Sequence, residues 1–222
     1  MDDFTAGGKF DHFADVYDRW LASYERECVE TLSGIAAHGT ALELGVCTGR
    51  VAIPLARTGC RVSGIDISTR MLERLRAKEG ANLLSLFVGD FVDIPLDNLF
   101  DLIYVLYTTL CYIHTQVEQI RCVRTVRERL NEHGAFVVET IVPGDWIFRN
   151  DWHLMTTDVT SESIVQTYAR TDSALQLVQL QHLEVREGET KLYPQQWRFI
   201  WPTELDLLAS LAGMTLDQRW GT

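Results

Sequence analysis

Between residues 41 and 142 the sequence alternates apolar segments with helix-like segments, and this alternation restricts the fold more than any other feature. The apolar segments ALELGV, RVSGIDI, LLSLFVGD, FDLIYVLY and AFVVETIV each predict a strand. Strands that are linked through helices pair in parallel, and a parallel sheet is covered by helices on both faces. The sequence therefore predicts a doubly wound α/β fold with a mostly parallel sheet.

Capping residues predict where the helices between these strands begin and end. Ser68 or Thr69 begins a helix that ends at Gly80. Thr115 with Glu118 forms a capping box for a helix that runs to Gly134. Both helices are long enough to cross from one end of the sheet to the other.

A chain of 222 residues fits one domain, which we divide into four parts. These are a helical lid at 1–38, a core at 39–143, an antiparallel insertion at 144–201, and a helix with a strand at 202–222. In the lid, aromatic residues three or four positions apart share one helix face: Phe10, Phe13, Tyr17 and Trp20. A second helix is expected over about 22–37.

The predicted insertion starts with a loop, VPGDWIFRNDWHLMTTDVTSES, and continues with three strands, IVQTYARTD, LQLVQLQHLEVR and KLYPQQWRFIW. In the last of these strands the aromatic residues occupy alternate positions and so share one face. A final helix starts at Pro202 and ends near Gly213. The segment MTLDQRW that follows it is a strand candidate.

Charge and composition argue against several classes of partner. The net charge of −11 opposes binding to a phosphate backbone, so we expect no nucleic acid partner. No apolar run reaches the roughly 20 residues of a spanning helix, and the acidic start lacks the pattern of a secretory signal. The five cysteines include no CxxC pair, and the six histidines lack chelating spacing. We therefore expect a cytoplasmic protein with reduced thiols, no membrane segment and no metal site.

The first strand runs into a glycine turn, ELGVCTGR, in which Cys47 stands where the commonest version of such a turn has glycine. Ligands of doubly wound sheets bind at such strand ends. Gly45 and Gly49 keep the turn, but their spacing is not the GxGxxG of dinucleotide sites. Glu43, two residues before the turn, disfavours a pyrophosphate and favours an amine. Cys47 is then a small residue beside the ligand, although the amino end of a helix is expected to lower its pKa.

Acidic residues follow the next two strands. Asp66 is placed to accept the hydroxyls of a ribose, and Asp90 is placed to accept from an adenine amine. Ile67 and Met71 supply apolar contact for the ring. An amine, a ribose and an adenine together indicate S-adenosylmethionine as the cofactor.

With these motifs the chain resembles the class I S-adenosylmethionine-dependent methyltransferases. ALELGVCTGR is similar to the first motif of that family, GIDIS to the second, GDF to the third and FDLIYVLY to the fourth. The resemblance extends over about residues 17–222, and the helical start and inserted strands are similar to small-molecule enzymes of antibiotic pathways. It implies a seven-stranded type of sheet that ends in an antiparallel hairpin. The sequence stops at RWGT, directly after the first strand of this hairpin, so either the sequence is cut short or the sheet is one strand smaller.

The resemblance also implies roles for individual residues. Residues 45–49 would cradle the methionine part of the cofactor, with Glu43 near its amine, Asp66 on the ribose, and Asp90 with the Phe91 backbone on the adenine. Residues 104–106, with Tyr104 and Leu106 at their ends, would line the sulfonium side. Tyr17 is either a lid residue over the cofactor or a core residue. S-adenosylhomocysteine would be the product.

The acceptor is expected to be a small molecule that is methylated on nitrogen or oxygen. An oxygen acceptor needs a base, for which His114 is the first candidate and His153 the second, while the alternative for His114 is a helix-start residue beside the Thr115 cap. The aromatic residues of the lid, the fourth strand end and the insertion either form an acceptor pocket or cover a helix or a second subunit. The predicted substrate residues are Trp20, Tyr107, Trp146, Trp152, His153 and Trp197.

Two alternative functions and the oligomeric state are kept open. A protein of this fold can bind the cofactor without methyl transfer, as a cyclase or a partner subunit. A nicotinamide dehydrogenase is disfavoured by the spacing after Glu43. The oligomeric state is open, with a homodimer as one option.

Overall fold

The computed structural model describes residues 8–21 and 26–221. Its main sheet has five strands: β1 (Thr40–Leu44), β2 (Arg61–Asp66), β3 (Ser85–Val88), β4 (Phe100–Val105) and β5 (Leu130–Val138). The strand order is β3-β2-β1-β4-β5, and all neighbouring strands are parallel. The order reverses between β1 and β4, so their carboxyl ends open the crevice where such sheets bind ligands.

Within the described residues, six α-helices accompany this sheet: α1 (Gly8–Trp20), α2 (Arg26–Ala36), α3 (Ala52–Arg57), α4 (Thr69–Arg76), α5 (Gln116–Arg129) and α6 (Pro202–Leu211). Alternate strand residues enter two different core clusters. Leu42 and Ile103 pack in one cluster, and Ala41 and Leu102 pack in the other. Because both faces of the sheet are buried, the predicted doubly wound α/β fold is confirmed.

The predicted helix starts are confirmed, but two helix ends are wrong. Ser68 accepts a hydrogen bond from the Met71 amide at 3.1 Å, and Thr115 accepts one from the Glu118 amide at 3.2 Å. Helix α4 ends at Arg76 rather than at Gly80, and α5 ends at Arg129 rather than at Gly134. At Leu130 the chain is already extended and pairs with Phe100 of β4. Sheet pairing therefore overrides the local helical pattern beyond Arg129.

A second, antiparallel sheet follows the parallel one. Its strands are β6 (His153–Val159), β7 (Ser163–Asp172), β8 (Leu177–Arg186) and β9 (Glu189–Arg198), in the order β6-β7-β8-β9. The expected insertion is thus confirmed with one more strand than predicted, because β6 lies within the segment expected to be a loop. Nearly all of β6 is exposed, so it lacks the alternation of apolar and polar residues that reveals a half-buried strand.

The strand candidate near the carboxyl end is wrong. Residues 214–220 form no strand and are mostly exposed. The Met214 amide donates to the Ala209 carbonyl at 2.9 Å, and Arg219 pairs with Asp206 at 2.5 Å, so the segment follows α6 rather than the sheet edge. The second predicted helix is α2, and its expected start at 22–25 lies outside the described residues. In the part of the chain that is described, the helices are all too short or too polar to span a bilayer.

Candidate active site

The turn after β1 depends on glycine at both of its ends. Gly45 has φ of +71°, and a Cβ there would lie 2.5 Å from the Thr109 methyl carbon. Gly49 has φ of +77°, and a Cβ there would lie 2.9 Å from Leu75. Cys47 lies between them with φ of +48°, a left-handed conformation that costs a non-glycine residue about 1–2 kcal/mol. The backbone thus keeps the shape of a glycine turn although one position carries a thiol.

Asp66 joins this first turn to the turn after β2. Its Oδ2 accepts from the Cys47 amide and its Oδ1 accepts from the Ser68 amide, both at 2.8 Å. Burial raises the pKa of Asp66, while these two backbone amides oppose the shift. The carboxyl group also lines a cavity at the strand ends. One side chain therefore fixes both turns and faces any ligand held between them.

Glu43 lies behind the cavity wall rather than on it. Its Oε2 accepts from the Tyr104 hydroxyl at 3.1 Å, and 6% of the residue is exposed. Burial raises the pKa of Glu43 to about 8. Hydrogen bonds from Tyr104 and the Ala52 backbone, and the positive charge of Arg50, lower the pKa but do not offset the effect of burial. The carboxyl group is therefore largely protonated at neutral pH in this structure. Contact between Glu43 and a ligand amine stays a prediction.

The expectation that residues 104–106 line the cavity is wrong. Tyr104 and Leu106 are buried in the core, because side chains of a strand with two covered faces point into the layers above and below. The chain reaches the cavity only beyond the end of β4, at Tyr107, Thr108 and Thr109. There Tyr107 and Thr108 adopt positive φ of 52° and 64°, and Glu139 accepts from the Tyr107 amide at 3.1 Å.

The third strand end carries Asp90, whose Oδ1 accepts from the Val92 amide at 2.9 Å. Asp90 and Phe91 line the same cavity as Ile67 and Met71. A carboxylate beside an aromatic and two apolar side chains is suited to a flat heterocycle with an exocyclic amine. The loop that carries Asp90 and the turns after β1 and β2 meet at one edge of the parallel sheet.

Together these loops line a cavity of about 820 Å³ that is also bounded by α1 and the antiparallel sheet. The predicted site residues on its wall are Tyr17, Trp20, Gly45, Cys47, Asp66, Ile67, Met71, Asp90, Phe91, Tyr107, His114 and Trp152. The predicted residues that are not on its wall are Glu43, Gly49, Tyr104, Leu106, Trp146, His153 and Trp197. A second cavity, of about 600 Å³, lies outside α1 among charged side chains and has none of the predicted residues on its wall.

Helix α1 forms the roof of the larger cavity. Phe10, Phe13, Tyr17 and Trp20 all line it, so the aromatic face faces the cavity as well as the core. Burial, followed by the neighbouring Cys47 thiol, raises the pKa of Tyr17, which keeps its phenol neutral. The Arg50 guanidinium carbon lies 3.8 Å from the ring centroid of Tyr107 and 5.8 Å from that of Tyr17.

Cys47 is not the activated thiol that a helix amino end suggests. Burial, followed by the negative charge of Asp66, raises the pKa of this thiol well above its usual range. The expectation of a lowered pKa is therefore wrong. Cys47 is protonated at neutral pH and lines the cavity as a small side chain.

Two of the predicted aromatic residues pack on each other instead of on the cavity. The rings of Trp146 and Trp197 are 5.7 Å apart at 62°, and Trp146 also contacts Phe199. The predicted acceptor pocket at these two tryptophans is wrong, because residues on the inner face of β9 there reach the core between the two sheets. Tyr193, farther along the same face, packs against Phe13 on α1.

The two histidines proposed as bases occupy different positions. His114 lines the cavity, and its Nε2 is 2.7 Å from the Gln196 carbonyl oxygen, to which it donates. His153 lies at the start of β6, where its Nδ1 is 3.1 Å from the Asp151 carbonyl oxygen. His153 is not on the cavity wall, so a role as base stays a prediction that the geometry does not support.

A hydrogen-bonded group on the wall was missed from the sequence. His182 Nδ1 is 2.8 Å from the Thr167 hydroxyl, and His182 Nε2 is 3.2 Å from Oε1 of Gln195. The Tyr112 hydroxyl donates to the same Gln195 oxygen at 2.9 Å. Burial lowers the pKa of His182, so the imidazole is neutral. The signal in the sequence was a histidine on the same strand face as Val178 and Leu180, but only the β8–β9 register places it beside Gln195.

The fold and this cavity define a Rossmann-like protein with a nucleoside-type site at the carboxyl ends of its parallel strands. A methyltransferase domain model matches residues 41–134. The solved CcbJ methyltransferase from Streptomyces caelestis is 33% identical and superposes with a TM-score of 0.88, covering 98% of this chain and 90% of that one. The chain therefore belongs to the S-adenosylmethionine-dependent methyltransferases, and it is an enzyme that uses this cofactor.

Two further proteins are similar. The cypemycin N-terminal methyltransferase of Streptomyces sp is 28% identical over 178 residues, which are 79% of this chain and 72% of that protein. An S-adenosylmethionine-bound amino pentose methyltransferase from Micromonospora echinaspora, involved in calicheamicin biosynthesis, is 18% identical with a TM-score of 0.71 and covers 96% of this chain and 90% of that one. The latter similarity shows the shared fold.

Proposed function

We propose that the protein methylates an amine nitrogen of a small natural-product metabolite. The observation that carries this proposal is one continuous cavity that joins the two Asp66-bound turns to a neutral polar wall at Tyr112, His182 and Gln195. Its volume of about 820 Å³ falls within the usual range for small-molecule sites, roughly 300–1,000 Å³.

The residues on the wall fit S-adenosylmethionine. Gly45 lines the cavity and has no side chain, so a ligand can approach the backbone closely there. Asp66 would hold the ribose, Asp90 would accept from the adenine amine, and Tyr17 would close over the methionine part. When bound, the cofactor supplies a methyl group that its positively charged sulfur has already activated.

The contribution of the protein is to align the acceptor and to exclude water. Tyr107 and Trp20 line the cavity and would restrict an acceptor to one approach. Holding two reactants in line is worth up to roughly 7–11 kcal/mol in favourable cases. A neutral amine attacks with its lone pair and passes its proton to water after transfer, so it needs no protein base.

The hydrogen bonds of His182 favour an amine over a hydroxyl. His182 lies on the polar wall and uses both ring nitrogens in hydrogen bonds to Thr167 and Gln195, so it is not placed to take a proton from an acceptor. The names of two relatives also state what they methylate: the N-terminus of cypemycin and an amino pentose. These relatives support a role in a natural-product pathway.

The test is a screen of matched acceptor pairs with S-adenosylmethionine that carries an isotopically labelled methyl group. Each pair has the same small-molecule scaffold with either an amine or a hydroxyl at one position. We expect mass spectrometry to find label in amine acceptors and not in their hydroxyl partners. Transfer to hydroxyl partners alone would contradict the proposal.

O-methylation is the second candidate, because His114 lies on the wall directly beyond the fourth strand. In that reaction His114 would take the acceptor proton, so activity should fall as the imidazole is protonated at low pH. If the protein binds the cofactor and labels no acceptor in the screen, the alternative of a cofactor-binding protein without methyl transfer is favoured instead.

A further inference from the structure

Helix α1 carries an acidic stripe beside its aromatic face. Asp11, Asp15 and Asp18 are spaced by four and three residues, which places them along one side of the helix. This side faces the turn after β1 and helix α4, whereas the aromatic side faces the cavity. The roof helix is therefore attached through charged side chains directly next to the site.

Asp18 binds the turn that follows β1. Its Oδ1 accepts from the Thr48 hydroxyl at 2.6 Å and from the Lys78 ammonium at 2.7 Å. Thr48 is fully buried and directly follows Cys47, whose amide is held by Asp66. Burial acts to raise the pKa of Asp18, but the hydrogen bonds from Lys78 and Thr48 outweigh it and lower the pKa. Asp18 is therefore ionised at neutral pH.

Asp11 binds the turn that follows β2 in the same way. Its Oδ1 accepts from the Ser68 hydroxyl at 2.6 Å. Ser68 is also fully buried, caps α4 by accepting from the Met71 amide, and donates its own amide to Asp66. Two carboxylates of one helix, seven residues apart, thus bind one hydroxyl on each of the two turns that Asp66 joins.

Asp15, which lies between them on the stripe, differs in its partners. It pairs with Arg70 and Arg74 on the outer surface of α4 and contacts neither turn. Its side chain is half exposed. Exposed pairs of this kind contribute little to stability, so Asp15 serves as an internal comparison for the other two residues.

We propose that Asp11 and Asp18 are positioning residues that couple the roof helix to the shape of the cofactor turns. With α1 in place, Asp18 fixes Thr48 and Asp11 fixes Ser68, so that the turn amides and Asp66 keep the arrangement that receives the cofactor. When α1 lifts, both hydroxyls lose their acceptors and the turns relax. This inference rests on the proposed placement of the cofactor at these turns.

The test measures binding of S-adenosylhomocysteine to the full chain by titration calorimetry and its dissociation rate by stopped-flow tryptophan fluorescence. Asp18→Ala and Thr48→Val should each raise the Kd by about tenfold, mainly through faster dissociation. The double variant should bind no worse than either single one, because both changes remove the same interaction. Thr48→Ser, which keeps the hydroxyl, should restore wild-type dissociation.

Asp15→Ala is the control and should change the Kd by less than about threefold. The proposal is overturned if Asp15→Ala and Asp18→Ala weaken binding equally, or if the losses of Asp18→Ala and Thr48→Val add. Should Asp18→Ala not fold, the comparison of Thr48→Val with Thr48→Ser decides, since equal dissociation rates contradict the proposal. Failure of the wild type to bind S-adenosylhomocysteine would instead contradict the proposed cofactor site.

Discussion

Replacing Asp66 with alanine tests the centre of the site, because this carboxyl group accepts from the amides of both cofactor turns. The change removes two hydrogen bonds of 2.8 Å, to Cys47 and Ser68. The Ser68 amide lies in a fully buried residue, shielded from bulk water, whereas Cys47 borders the cavity. Leaving a buried donor unsatisfied costs about 1–3 kcal/mol.

The cost to stability is smaller than the sum of two such bonds. Burial raises the pKa of Asp66, so the folded protein also loses an unfavourably buried charge when the carboxylate is removed. We expect a net loss of about 2 kcal/mol, which for a chain of this length lowers the Tm by roughly 4–8 °C. Cofactor binding should suffer more, because the ribose hydroxyls lose a charged acceptor and the turns lose their link. We expect the Kd of S-adenosylhomocysteine to rise by about 100-fold.

Asp101→Ala is the matched control for this variant. Asp101 accepts from the Thr40 amide and hydroxyl at 2.8 Å and from the Asn131 amide group at 2.6 Å, at the opposite end of β1 and β4. The Asp101→Ala variant should therefore lose a similar amount of stability and keep its affinity for S-adenosylhomocysteine. Thermal melting and titration calorimetry on both variants separate the two effects. Equal losses of affinity in both variants would refute the reasoning.

Three further changes test separate parts of the account. Cys47→Gly relieves the strain of a left-handed conformation, about 1–2 kcal/mol, but also increases the entropy of the unfolded state by about 0.4–1 kcal/mol. The two effects nearly cancel, so the Tm should shift little. Calorimetry should show that the variant binds S-adenosylhomocysteine at least as tightly as the wild type. Cys47→Leu should block binding, and lost turnover in the glycine variant with binding intact would show that the thiol acts. Glu43→Gln tests the raised pKa of Glu43. Between pH 4.5, the ordinary pKa, and about pH 8, the folded-state pKa, the folded protein holds a proton that the unfolded protein releases. The stability of the wild type should therefore fall with rising pH in this range, relative to that of the variant. Parallel urea-unfolding profiles across this range would contradict that assignment. His114→Gln, whose amide nitrogen reaches about as far as Nε2 and can still donate to the Gln196 carbonyl, should keep kcat within about tenfold for an amine acceptor, whereas loss of a base costs about 10²–10⁴-fold.

The parallel sheet and the strand ends that line the cavity could be predicted because their signals are local. The glycines at 45 and 49, the cap at Ser68 and the carboxylates at the strand ends each act within a few residues of their own positions. In a parallel sheet all such strand ends meet at one edge. Asp66 and Asp90 could therefore be assigned to one site from the sequence alone.

The features that could not be predicted from the sequence depend on strand pairing or on how deeply a side chain is buried. The sequence of β6 carries no burial pattern, because it is an exposed edge strand. Tyr104 was expected at the cavity but lies in the core. It is still inside the strand, where both faces of the sheet are covered, and only residues beyond the strand end reach the cavity. His182 and Gln195 meet only through the register of β8 and β9, and the rings of Trp146 and Trp197 meet between the two sheets. None of these contacts has a signature within a single segment.

The most direct test of the account follows an isotopically labelled methyl group from S-adenosylmethionine into the product by nuclear magnetic resonance. The acceptor is the amine that gains most label in the matched-pair screen, and the wild type is compared with Asp66→Ala and Asp101→Ala. We predict an N-methyl signal with the wild type and with Asp101→Ala, and its loss with Asp66→Ala. An O-methyl signal, or an N-methyl signal that Asp66→Ala leaves unchanged, would contradict the account.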